Sequence, residues 1–150
     1  MLALGCATAR APAVRDATVQ GQITIAIDSL AAAMESLQPD RMLAAWAPGS
    51  DVLHVSNTNV VRIDTLLPSL YPVWHSRRAF KVTWTMRALR ALGPSAAVAT
   101  TSVRFVATDT LGVTTTRDGV WTMVFAESAG VWKIVADHRT MEAVPENGSR

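Results

Sequence analysis

Cysteine and tyrosine each occur once in this chain, and charge is thin, with 17% of residues Asp, Glu, Lys or Arg. The lone Cys6 excludes an internal disulfide and a cysteine-ligated metal site. The formal charge is only +2 and the basic residues are scattered. The group of Arg77, Arg78 and Lys81 is too short to make a basic stripe, so nucleic acid is not expected as a partner. No apolar run approaches the roughly 18 residues that a membrane span requires. A glycine-rich phosphate loop is missing, and so is the Gly-x-Ser-x-Gly turn that presents a nucleophilic serine. His54 and His138 alone are too few for a metal centre, which wants three protein ligands, and neither metal nor cofactor is expected.

What is present is apolar periodicity. At 150 residues and 49% hydrophobic, the chain can bury a substantial core as one domain. Ile23, Ala26, Ile27, Leu30, Met34 and Leu37 recur at helical spacing and predict an amphipathic helix over 16–37. A short second helix follows at 41–46, stopped by Pro48-Gly49. A short hairpin turns at Ser56–Asn59, and a third helix runs from Thr65 toward His75, where Pro72 is expected to kink or end it. The period then changes from 3.6 to 2. Long strands are expected over 80–89, 96–107, 113–126 and from Val131, the first with Phe80, Val82, Trp84 and Met86 on one face. Helices first and a run of antiparallel strands after them mean an α+β domain, with helices on one face of a curved sheet. Residues 1–15 and 142–150 read as tails around a domain at 16–141.

The last strand carries the most chemistry. Strict alternation puts Trp132, Ile134, Ala136 and His138 on its inner face and Lys133, Asp137 and Arg139 on its outer face. His138 then enters the interior as an acid or base, with His54 on the short first strand as its expected companion. Asp137, facing outward, is expected to pair with Lys133 or Arg139. The inner faces of the strands offer Trp84, Met86, Trp121 and Met123 but no carboxylate, and Arg104 is the arginine that could face a substrate. Trp46, Tyr71, Trp74, Trp84 and Trp121 come from all the elements that would line the interior. Together they predict a small, largely apolar or aromatic ligand.

Two resemblances sharpen this reading. The order of elements is similar to that of the nuclear transport factor 2-like superfamily, nearest its SnoaL-like and ketosteroid-isomerase-like members. The segment from Asp40 to Trp46 before Pro48-Gly49, and the ending Val131-Trp132-Lys133-Ile134-Val135-Ala136-Asp137-His138-Arg139-Thr140, carry it. The resemblance implies a cone: a strongly curved antiparallel sheet wrapped around N-terminal helices. It implies either a small-molecule site with isomerase-, cyclase- or hydrolase-like acid–base chemistry, or a non-catalytic dimeric accessory module whose cone is filled by its own side chains. Separately, Leu2-Ala3-Leu4-Gly5-Cys6-Ala7 with its Ala/Pro-rich tether resembles the end of a bacterial lipoprotein signal. That implies lipid attachment at Cys6, membrane association only through that anchor, and a periplasmic or cell-envelope location, the alternative being cytoplasmic. The outer sheet face, with Thr83, Thr85, Thr100, Ser102, Val120, Thr122, Val124, Val131 and Val135, is β-branched and nearly uncharged. It is expected to join two copies of the chain in a homodimer.

Overall fold

The computed structural model describes residues 12–49 and 51–145; Cys6 and its tether up to residue 11, like the last five residues, lie outside them. The element order is α1 (Pro12–Glu35), α2 (Pro39–Leu43), β1 (Leu53–Ser56), β2 (Asn59–Arg62), α3 (Ile63–His75), β3 (Arg77–Gly93), β4 (Ala96–Asp109), β5 (Thr114–Ser128) and β6 (Val131–Ala143). The fold is α+β, as the change of period predicts. The six strands form one sheet in the order β2-β1-β6-β5-β4-β3. The long strands pair antiparallel, whereas β1 joins β6 in parallel.

Helix α1 buries Val19, Ile23, Ile27, Leu30 and Met34, a stripe at helical spacing, against the sheet's inner face. There it meets Val82, Val103, Met123, Phe125 and Ile134. Its last residue, Glu35, accepts a hydrogen bond from the backbone N–H of Val82 at 2.9 Å. β3 is the sheet's edge, so this carboxylate satisfies a donor that no neighbouring strand reaches. α3 runs on to His75 through Pro72. Pro72 lies in the final turn and forfeits one intrahelical bond, while the last turn gains burial of Trp74 edge-on against Phe80 at 4.9 Å.

Register shifts curl the sheet. Arg78, Arg87 and Leu92 are extra residues on β3 relative to β4. On β6 the extra residue is Val135: Phe125 faces Ile134, Val124 faces Ala136, and nothing on β5 faces Val135. A bulge of this kind breaks the two-residue alternation. Trp132 and Ile134 point inward as expected, but beyond the bulge the inward residues are Asp137, Arg139 and Met141. Asp137 is 5% exposed and His138 stands exposed on the outer face opposite Thr122. The expectation of an inward His138 is therefore overturned by one unpaired residue, and with it the outward Asp137. Arg104 is also outward, in a two-bond pair with Asp118 at 2.6 and 2.7 Å.

Gly119 sits where β5 and β6 approach most closely. A Cβ there would lie 2.1 Å from the Thr140 carbonyl oxygen and 3.1 Å from the Met141 Cα. Because backbone atoms cannot move aside cheaply, Gly119→Ala should lower stability by about 1–3 kcal/mol. Urea unfolding of the two proteins checks this; an unchanged midpoint would contradict it. A second expectation follows from Glu35. Its bond from the Val82 N–H holds its carboxyl below the ordinary value; burial opposes this, and Lys81 at 3.1 Å adds to the lowering. A depressed folded value means that the contribution is complete above the unfolded carboxyl's pKa, about 4.3, and is lost as pH falls through the folded value. Glu35→Gln should therefore lower the melting temperature at neutral pH, and the gap to wild type should close on acidification.

Candidate functional site

The site begins with how the chain enters β1. Ala45–Ala47 lies along β6 at Ile134, with Ile134 N–H bonded to the Ala45 oxygen at 2.9 Å and Ala47 N–H to the Ile134 oxygen at 2.8 Å. Six residues later β1 resumes the parallel pairing, placing His54 beside Asp137. Trp46 and His54 thereby arrive on either side of the bulge, and Trp121 comes from the neighbouring strand β5.

All three aim at one carboxylate. Trp46 Nε1–H donates to Asp137 Oδ1 at 2.8 Å, Trp121 Nε1–H donates to Oδ2 at 2.8 Å, and His54 Nδ1 meets the same Oδ2 at 2.8 Å. His54 is 2% exposed. A carboxylate only accepts, so Nδ1 carries a proton in this network, and it is on Nε2 that the neutral form of the ring has its lone pair. His54 Nε2 is the one buried side-chain nitrogen or oxygen without a hydrogen-bond partner among the described residues.

His54 also stands on the wall of a cavity of about 360 Å³. Met34, Leu66, Trp74, Phe80, Phe105 and Met141 supply its apolar lining. Its polar lining is Ser56, Asn57, Thr115 and three arginines, Arg77, Arg117 and Arg139. Asn57, Thr115 and Arg117 are exposed and mark the mouth, whereas His54 and Phe80 are buried. Burial holds the Arg77 and Arg139 guanidiniums below the ordinary arginine range. The charge of Arg117 pushes both the same way, while Asp137 acts on Arg139 in the opposite sense.

The residues singled out from the sequence fall in different places. His54 and Trp74 line the cavity. Trp46 and Trp121 do not line it; they sit behind His54, Trp46 edge-on to its ring at 6.5 Å, and are spent on Asp137. Trp84 is half-buried over the other part of the interior, with Ile27, Thr101, Trp121 and Met123, where the free volume is only about 10 Å³. Tyr71 bonds through its hydroxyl to Asp40 on α2, outside the cavity, which pushes the phenol up from its usual value. His138 and His54 are not brought together, because the pairing sets His54 beside Asp137 instead. Asp137, Arg77, Arg117 and Arg139 were missed as site residues. One signal pointed to Asp137: two inward tryptophans need acceptors for their indole N–H groups, and it is the one carboxylate on β6 near the core end.

A helix-filled, one-sheet α+β cone with a residual cavity at one end is the class that this geometry defines. No family model matches the sequence, and no curated protein does. Solved structures do match. An NTF-2 like protein of unknown function from Shewanella oneidensis MR-1 is 20% identical, with a TM-score of 0.66 over 81% of this chain and 98% of its own. A nuclear transport factor 2 (NTF2-like) superfamily protein from Salmonella enterica serovar Typhimurium is 18% identical, with a TM-score of 0.72 over 88% and 95%. Hexachlorocyclohexane dehydrochlorinase LinA-type3 from Novosphingobium barchaimii LL02 is 14% identical, with a TM-score of 0.70 over 92% and 97%. The likeness is one of fold, and the fold is nuclear transport factor 2-like.

The three donors on Asp137 make its chemistry testable. In Asp137→Asn one oxygen becomes an NH₂ group, which must then face at least one of Trp46, Trp121 and His54, donor against donor. The substitution should cost roughly 3 kcal/mol or more in urea unfolding, as when a buried charged network loses its acceptor. A loss below the error of the midpoint would contradict the network.

Proposed function

We propose that the chain is an enzyme that abstracts a proton from a small, largely apolar molecule held in the cavity, with His54 Nε2 as the general base. One observation carries this reading. His54 is oriented through Nδ1 by a buried carboxylate, while its buried Nε2 has no partner among the described residues and His54 is one of the residues that line a cavity large enough for a small ligand. A histidine kept for structure would be expected to satisfy both ring nitrogens. Asp137 is the positioning residue: it fixes the ring and stabilises the imidazolium formed when Nε2 takes the proton. Trp46 and Trp121 hold Asp137 in turn, so the base is fixed to the sheet rather than to a loop.

The chemistry that follows is a lyase or isomerase step. The C–H bond breaks toward Nε2, and its electron pair either expels a leaving group or forms a new double bond that is protonated elsewhere. A neighbour of the same fold bears the name of a dehydrochlorinase, an activity of this broad type. The alternative of a self-filled accessory module fits only the interior under α1, around Trp84 and Met123, and leaves the cavity beneath α3 without a purpose.

A flat apolar reporter tests the base directly. 5-Nitrobenzisoxazole loses its C3 proton as its N–O bond breaks, releasing a coloured phenolate. The protein should open this ring faster than free imidazole at equal concentration, and His54→Gln should remove about 100-fold or more of that rate, the scale of a positioned general base. His138→Ala should leave the rate as it is. Undiminished turnover in a normally folded His54→Gln would refute the assignment.

A further inference from the structure

The base accounts for one wall of the cavity and leaves three side chains unused. Arg77, Arg117 and Arg139 come from β3, β5 and β6, yet all line the cavity that His54 lines. Among the described residues no Asp or Glu lines it. Ion pairs among the described residues join His54 with Asp137, Arg62 with Asp64, Lys81 with Glu35 and Arg104 with Asp118, and none includes a cavity arginine. Asp137 is a carboxylate that acts on Arg139, and its oxygens already receive two indoles and an imidazole.

Two of these arginines lie over aromatic rings. The guanidinium carbon of Arg77 lies 4.8 Å from the ring centres of both Trp74 and Phe80, and that of Arg139 lies 5.7 Å from Trp121. A guanidinium placed over a ring is attracted by the ring's π face without spending its N–H groups on a carboxylate. Arg139 spends one such group, Nε–H, on Ser56 Oγ at 3.3 Å. Among the described residues Arg117 makes no ion pair with a carboxylate and lies over no aromatic ring. Arginine stays protonated in any protein setting, so the repulsion among the three persists until a negative group stands between them.

We propose that the substrate is an organic oxyanion, a carboxylate or a phosphate ester. Its head lies among Arg77, Arg117 and Arg139, and its apolar body lies on Phe80, Phe105 and Met34 toward His54. The proposal rests on the proton-abstraction reading for its orientation and narrows the ligand from apolar to amphiphilic. Three guanidiniums around an enclosed apolar floor select charge at one end and exclude it at the other.

Isothermal titration with benzoate, phenyl phosphate and the neutral isostere benzamide tests it. Benzoate and phenyl phosphate should each bind about tenfold or more tightly than benzamide, the scale of one charge-assisted hydrogen bond. Arg117→Gln should weaken both anions by roughly tenfold and Arg117→Glu should abolish their binding, with benzamide unaffected by either. Arg117 is exposed, so these variants should fold, and equal melting temperatures confirm it. Benzamide binding as tightly as the anions, no saturable anion binding, or anion affinity that survives Arg117→Glu would each overturn the oxyanion site. Failure of the base reads out elsewhere: ring opening of 5-nitrobenzisoxazole would be absent while anion selectivity stands.

Discussion

A buried carboxylate organises this molecule. Asp137 is nearly inaccessible, and an ion so placed would be very costly without partners. Trp46, Trp121 and His54 supply three donors from three separate stretches of chain: the segment before β1, β5 and β1 itself. The two indoles are apolar everywhere except at the nitrogen they turn toward the carboxylate, while His54 keeps a second ring nitrogen, Nε2, on its far side. The arrangement thus closes the core around a charge while keeping its rim aromatic, with Trp46 and Trp121 tilted together at 6.2 Å and Phe105 edge-on to Trp121 at 6.2 Å. Fold and site meet in that one residue, since what anchors β1 to β6 also orients the imidazole.

The architecture was legible from periodicity. The inward set Phe80, Val82, Trp84 and Met86, the helical stripe from Ile23 to Met34 and the Asn57 turn all rest on local chemistry that a sequence displays. Much of the site was not legible, for one local reason. Nothing in Ile134-Val135-Ala136 marks an unpaired residue, because three apolar side chains fit either phase of a strand. The bulge is decided by the partner strand and by the burial of Asp137, which are long-range facts. Past it every inference about side-chain direction inverted, so His138 was read as inside and Asp137 as outside. His54 lies on a strand of four residues that contains no such ambiguity. The cavity arginines were invisible for a different reason: Arg77, Arg117 and Arg139 lie 40 and 22 residues apart along the chain (117 less 77, 139 less 117) and only the sheet brings them together.

The interior is divided between a tight part and a loose part. Under α1, Ile23, Met123 and Ile134 are essentially sealed and hold the sheet to its helix. Under α3 the space stays open, bounded by Leu66, Leu70, Val73 and Trp74, which recur at helical spacing along one stripe. Leu66 and Leu70 are only partly buried and Val73 is 43% exposed, so the first three contribute little to the sealed core.

That division has an evolutionary meaning. Drift along one stripe of α3 can re-cut the shape of the chamber, lengthening or shortening it by a methylene at a time, while the helix that secures the sheet is left alone. The His54 imidazole and the Asp137 carboxylate sit on paired strands, away from that stripe. Substitutions on a single short helix can therefore change the chamber while the bonds that join Asp137 to Trp46, Trp121 and His54 stay as they are.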